Sequence, residues 1–238
     1  MKKIPENQIH NKTVPLSGIG IILNVNKPVG KSSFAVVSYL KRLAGVKKVG
    51  HAGTLDPEAS GVLLIVIGRA TKQVESLMSL EKEYVGTVRF GIVTDTYDST
   101  GNILERHSTE GLTEQSITKA LARFKGEIQQ VPPRFSALKY KGKPLYSYAR
   151  KGIIISPYAR PVRIYEIELD SFHSPEATIR IVCSRGTYVR SIAHDLGQVL
   201  GCGAILSALT RMRVGEYHID DAVSWESLPE KARELIRR

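Results

Sequence analysis

One carboxylate is framed by glycine and proline in Gly50-His51-Ala52-Gly53-Thr54-Leu55-Asp56-Pro57, and Gly61-Val62-Leu63-Leu64-Ile65-Val66-Ile67-Gly68 follows at once. The second stretch is short, continuously apolar and bounded by glycines, which predicts a fully buried strand. A rigid loop over a buried strand is a setting for catalysis by a positioned acid, because a solvated turn needs no such backbone control. His51 stands five residues before Asp56, so a ring and a carboxylate can share one rim. The plainer alternative is a tight turn whose aspartate caps a neighbouring N–H.

Two further segments join the first. Tyr84 follows Glu81-Lys82-Glu83 at the start of an alternating strand. Cys183-Ser184-Arg185-Gly186-Thr187-Tyr188-Val189-Arg190 runs from a strand end into a helix start. Arg190 falls in the first helical turn, where a cation opposes the helix dipole. A side chain placed against that preference implies a specific anionic partner such as a carboxylate; the alternative is a surface arginine that snorkels to water. Other motifs fail. Gly30-Lys31-Ser32 resembles the end of a phosphate-binding loop, but position 25 is Val where glycine is required. The histidines lack close ligand spacing, no Cys-x-x-Cys occurs, and no Gly-x-Ser-x-Gly elbow is present. Neither a metal nor a cofactor is expected.

These groups need a scaffold of mixed elements. The 238 residues suffice for one large core, or one core with a small appendage. Strands are expected over 19–25, 62–67, 83–91, 103–106, the hairpin 162–172 and 177–184, and the region 204–219. Helices are expected from Ser32 or Ser33 onward, around 71–80, near Ile117–Phe124, over 189–200 and over 228–236. Strands outnumber helices and are often joined as hairpins, which predicts an α+β fold on a largely antiparallel mixed sheet with flanking helices and loops. Residues 1–17 read as an N-terminal arm. Residues 126–161 carry cations, aromatics and prolines without a sustained period, as a functional insertion would.

Composition points to the partner. Lys+Arg 34 against Asp+Glu 23 gives a net charge of +11, which suits a polyanion, above all nucleic acid. No basic amphipathic helix or membrane-length apolar run is present, and the polar start lacks a secretory signal. Two cysteines without metal spacing fit a reduced, cytoplasmic protein.

Six ordered blocks then carry a family resemblance: Lys27-Pro28, Gly50–Pro57, Lys82-Glu83-Tyr84, Ser136-Ala137-Leu138-Lys139-Tyr140, Cys183–Arg190 and Leu196-Gly197. Co-linear over roughly 18–226, they resemble the TruB family of tRNA pseudouridine-55 synthases. The resemblance implies the pseudouridine synthase fold with a catalytic cleft across the sheet, and isomerisation of one T-loop uridine of tRNA to pseudouridine without cofactor or metal. It assigns Asp56 as catalytic aspartate, Tyr84 as ring-stacking tyrosine and Arg190 as the aspartate's partner. It makes His51 the group that fills the space left by the flipped base, Tyr188 and Leu209 pocket walls, and Lys27 with Pro28 a bordering loop. The basic segment supplies an RNA-gripping thumb, with Arg134, Lys139, Lys141, Lys143 and Arg150 as candidate RNA contacts. A fairly dry pocket around an ionised Asp56 is expected. Residues 227–238 read as a helical tail without the small β-rich RNA-binding domain many relatives carry. The implied partner is the tRNA T-arm stem-loop, with no membrane and no obligate protein partner. The alternative function is a non-catalytic tRNA-binding or folding module on the same fold; a nucleosidase that breaks the same bond is a third.

Overall fold

A computed structural model describes residues 20–237, so the arm expected over 1–17 lies outside the described residues. The elements in order are β1 (Gly20–Lys27), α1 (Ser33–Ala44), β2 (Val49–Ala52), β3 (Ala59–Gly68), α2 (Val74–Ser79), β4 (Lys82–Phe90), β5 (Ile92–Thr94) and β6 (Ile103–Arg106). They continue with α3 (Glu114–Leu121), β7 (Gly126–Gln130), β8 (Lys139–Tyr140), β9 (Lys143–Pro144), α4 (Leu145–Ala149), β10 (Arg160–His173) and β11 (Glu176–Cys183). The last are α5 (Val189–Leu200), β12 (Ala204–Val214), β13 (Tyr217–His218) and α6 (Leu228–Arg237).

The main sheet runs β1-β3-β12-β4-β11-β10-β7, with β2 on β3 and β13 on β12. Among the named strands of the main sheet, β3 and β12 pair in parallel, over Ala59–Gly61 with Leu209–Arg211, and the other strand pairs are antiparallel. The expected α+β architecture on a mixed, largely antiparallel sheet is therefore present. Side-chain periodicity explains the layers. In β4, Lys82, Tyr84, Gly86, Val88 and Phe90 turn inward and the intervening residues face outward, the period-two pattern of a strand. β3 is buried along nearly its whole length because side chains pack on both of its faces. Ser32 caps α1 by accepting from the Ala35 N–H, and Val36, Val37, Leu40 and Ala44 form its buried stripe.

α5 needs glycine at one contact. A Cβ on Gly197 would stand 2.1 Å from the Ala204 nitrogen, so only glycine lets the helix lie this close to the start of β12.

Three sequence expectations change. The stretch taken as one loop over 50–57 begins as strand β2, which pairs Val49–Ala52 with Ile67–Leu64. The helix expected around 71–80 is a 3-10 turn, Arg69–Gln73, followed by the short α2; Thr71 and Ser76 hydroxyls bond back to the Gly68 and Gln73 carbonyls there. The irregular segment 126–161 is narrower at both ends, since β7 pairs with Arg160–Ile164 of β10. β7 contains one aliphatic residue, Ile128, and lies at the end of the sheet's strand order, so its sequence shows little hydrophobic alternation. Within the remainder, β8 and β9 form a hairpin whose two turn residues, Lys141 and Gly142, both have positive φ (46° and 80°).

Candidate active site

The site forms where one edge of β3 changes partners. β2 pairs with that strand at Leu64–Ile67 and β12 pairs with it at Ala59–Gly61, leaving Val62 and Leu63 between the two ladders. Arg211 of β12 fills the gap: its Nε donates to the Val62 carbonyl at 2.6 Å and its Nη2 to the Gly53 carbonyl at 3.1 Å. Gly61 is required here, since a Cβ would lie 2.2 Å from the Arg211 carbonyl oxygen, at φ +100°.

The loop that leaves β2 at this gap carries Asp56 and is held at several points. Ser33 Oγ accepts from the Leu55 N–H at 2.9 Å and donates to the Leu55 carbonyl at 3.0 Å. The Gly30 N–H donates to the Pro57 carbonyl at 2.8 Å. Lys27, fully buried, donates to the carbonyls of Pro28, Lys31 and Pro57. At about 1 kcal/mol net per bond, the set stabilises one loop geometry by several kcal/mol. Burial pushes the Lys27 ammonium down to about 8, with Asp56 and Glu58 pulling it back up.

Asp56 Oδ2 meets Arg190 Nε at 2.9 Å. The guanidinium is buried, so the snorkelling alternative fails. Its Nη1 donates to the Thr96 carbonyl, its Nη2 donates to the Phe135 carbonyl, each at 3.0 Å, and Asp98 Oδ2 stands 3.6 Å from Nη1. The cation at the start of α5 thus meets two carboxylates and two carbonyls. The expected dry setting for Asp56 does not occur in the free protein, where its side chain is 45% exposed. The loop lies at an open cleft, so water reaches the carboxylate.

Asp98 is a site residue that the sequence reading missed. Its Oδ1 accepts from the hydroxyls of Thr96 and Thr100 and from the Thr100 N–H, which aims Oδ2 at Arg190. Tyr97 between them takes a left-handed φ of 63°, and its ring stacks on His194 at 3.9 Å. The signal available was an Asp-Thr-Tyr-Asp turn beside a strand end. For the isomerisation that the resemblance implies, replacing Asp98 with Asn should lower turnover about 10- to 100-fold, the worth of one charge-assisted contact, with RNA affinity unchanged. Single-turnover rates alongside filter binding check this.

A cleft of about 320 Å³ opens beside Asp56, lined by Tyr84, Tyr188, Arg190, Leu209 and Arg211 among others. That volume lies within the usual range for small-ligand sites. Tyr84 and Arg211 are cross-strand partners, as are Gly86 and Leu209, so tyrosine, leucine and arginine share one face. Burial raises the Tyr84 pKa and Arg211 opposes the rise. Tyr188 precedes α5 and is fixed from both sides by Gln130, whose side chain accepts from its N–H and donates to its carbonyl.

Lys27, Pro28 and His51 fall outside the cleft wall. Lys27 sits behind the Asp56 loop and Pro28 adjoins it, which makes them supports of the loop rather than its lining. His51 lies half-buried on β2, where burial, and then the Arg211 charge, lower its pKa. Arg134, Lys139, Lys141, Lys143 and Arg150 are all exposed on the 131–152 segment. Lys141 lies over Tyr140 and Arg150 over Tyr146, at 5.6 and 5.4 Å from the ring centroids. The segment's base is tied to the site through Phe135, and through the Val131 carbonyl, which accepts from Ser191 Oγ at 2.8 Å.

The TruB family pseudouridylate synthase N-terminal model matches residues 41–189, and the tRNA pseudouridylate synthase B C-terminal domain model matches residues 190–237. The chain belongs to the TruB family. Its TruB relatives include the tRNA pseudouridine synthase B of Desulfotalea psychrophila, 47% identical over 227 residues, with 92% of each chain covered. That of Bordetella avium is 46% identical over 216 residues, covering 90% of this chain and 87% of the relative. Among solved structures, the chain is similar to one in a Cbf5-Nop10-Gar1 complex, with a TM-score of 0.72 and 29% identity. That match covers 93% of this chain, which spans 59% of the other chain's length. The boundary between the two TruB models falls inside α5, and β12 lies in the interior of the sheet. Both matched segments therefore build one core.

Proposed function

We propose that this TruB-family chain isomerises one uridine in the T-loop of tRNA, position 55, to pseudouridine. The Arg190–Asp56 pair at the mouth of a cleft floored by Tyr84 carries this reading. The uridine leaves its stack, which costs a few kcal/mol. Stacking on Tyr84 returns roughly 1–3 kcal/mol, and His51, beside the loop, enters the space left behind. Asp56 opens the bond from N1 to C1′ by one of three routes: as a nucleophile at C1′, as the base that removes the 2′ proton, or by adding to C6 of the ring. Arg190 holds the carboxylate ionised and oriented. The ring turns between Tyr84, Tyr188 and Leu209, and C5 joins C1′; the C5 proton passes to a base, for which the Tyr84 hydroxyl is the candidate, and N1 takes up a proton. Atoms and redox state are conserved.

The incoming base displaces water from the half-exposed Asp56, so the environment dries as the substrate arrives. The deciding experiment is tritium release from [5-³H]uridine in a tRNA transcript, followed by a check that the RNA chain stays intact. Binding without release would favour the folding-module reading, and free uracil would favour a nucleosidase.

The exposed cations of the 131–152 segment grip the T-arm stem-loop, and the reaction takes place in the cytoplasm, where tRNA is modified. A fourfold rise in salt should weaken hairpin binding about 10²-fold for some four to five phosphate contacts. Replacing Lys139, Lys141 and Lys143 together with Ala should flatten the slope of log Kd against log salt by about 2 to 3. An unchanged slope would move the grip elsewhere.

A further inference from the structure

Two cations in the cleft face no carboxylate. Lys82 and Tyr84 are alternate residues of β4, Leu209 and Arg211 alternate residues of β12, and all four line the cleft. Lys82 and Arg211 are buried, at 5% and 1% exposure. Lys82 Nζ donates to the carbonyls of Met78 and Leu80, and Arg211 donates to those of Val62 and Gly53. The other cations of the lining have acidic partners, Arg190 with Asp56 and Arg185 with Glu75. Lys82 and Arg211 form no ion pair among the described residues.

That arrangement is costly. Two like charges are taken out of water, and the carbonyls they satisfy offset the lost hydrogen bonds but leave the charge itself without a carboxylate. Burial and Arg211 together push the Lys82 ammonium down to about 8, which still leaves it mostly charged at neutral pH. Such a pair is stabilised when an anion arrives between them. Phosphates of the RNA stay at the rim, because the floor formed by Tyr84 and Leu209 receives the base.

The base itself becomes that anion. When N1–C1′ breaks, the electron pair of the bond leaves with N1 and spreads onto O2 and O4. C1′ is satisfied either by an Asp56 oxygen or by the electrons of the 2′ C–H bond, whose proton Asp56 takes. In these two routes the detached pyrimidine is negative until C5 bonds to C1′; the C5 proton then leaves and N1 takes one up. We infer that Lys82 and Arg211 form a cationic floor that stabilises the detached pyrimidine anion and holds it while it turns. Two positive groups around one ring attract O2 and O4 in either orientation, so rotation proceeds without escape. The inference rests on the isomerase reading.

The test is single-turnover conversion of a T-arm hairpin carrying uridine or 5-fluorouridine at the target, followed as loss of the parent nucleoside after digestion. Fluorine makes the departing ring a more stable anion in its own right. Lys82→Met should slow uridine conversion at least about tenfold with hairpin affinity unchanged, and slow 5-fluorouridine only about two- to threefold. Equal slowing of both substrates, or lost affinity with an unchanged rate, would overturn the floor. Wild-type protein supplies a second measurement if the variant does not fold. With the floor in place its rates on the two hairpins should agree within about threefold; a large preference for 5-fluorouridine would count against it. Wild-type protein inert on both hairpins would instead sink the isomerase reading.

Discussion

Asp56→Asn is expected to lower tritium release by about 10⁴-fold or more while the T-arm hairpin still binds. The amide keeps the shape of the side chain but can neither attack C1′ nor accept the 2′ proton. The loop should keep its geometry, because Ser33, Lys27, Gly30 and Arg211 hold its backbone and not its carboxylate. The half-exposed side chain adds little folding energy, so the melting temperature should move by only a few degrees. A variant that turns over at a tenth of the wild-type rate would remove Asp56 from the chemistry.

Arg190→Ala should cost both activity and stability, which distinguishes it from the first variant. The guanidinium is 6% exposed and meets Asp56, Asp98 and the carbonyls of Thr96 and Phe135. Removing it leaves a mostly buried Asp98 and two carbonyls without their donor. Breaking a buried pair costs about 3–5 kcal/mol, and the exposure of Asp56 places this case toward the lower end. Turnover should fall about 10³-fold or more, since the carboxylate loses both its orientation and its counter-charge. Arg190→Lys restores a charge but not the fork that reaches four acceptors. It should therefore recover part of the denaturation midpoint and little of the rate. Urea unfolding and single-turnover kinetics on the same samples check both. Equal recovery of rate and stability would reduce Arg190 to a point charge.

The two variants probe different levels of the structure. Asp56 is presented by a short loop, whereas Arg190 joins that loop to the turn at residues 96–98 and, through Phe135, to the base of the basic segment. A T-arm gripped by that segment would press on the same guanidinium that orients the acid. In the proposed function, RNA binding and alignment of the carboxylate would share one cation.

Much of this protein is legible in its residue order, and the physical reason is local. The period-two burial of β4, the glycine-bounded apolar run of β3 and the stripe on α5 depend on neighbours a few residues away, so the pattern survives in the bare sequence. The same holds for Asp56 in its Gly/Pro frame and for Arg190, conspicuous because a cation at a helix start opposes the dipole. Family resemblance over six ordered blocks links the two residues from sequence alone.

What tertiary structure alone decided lies where distant segments meet. Asp98 acquires a role because the turn after β5 packs against α5. Lys27 becomes a loop support, because the carbonyl it reaches belongs to Pro57, thirty residues on. Arg211 sits in an apolar strand as any half-buried arginine could. It gains its position only because β3 exchanges β2 for β12 at that point, leaving a carbonyl to be satisfied. Sequence specifies which side chains are present and which face of an element they share. The close approach of separate elements, which sets charge against charge, is a property of the folded chain.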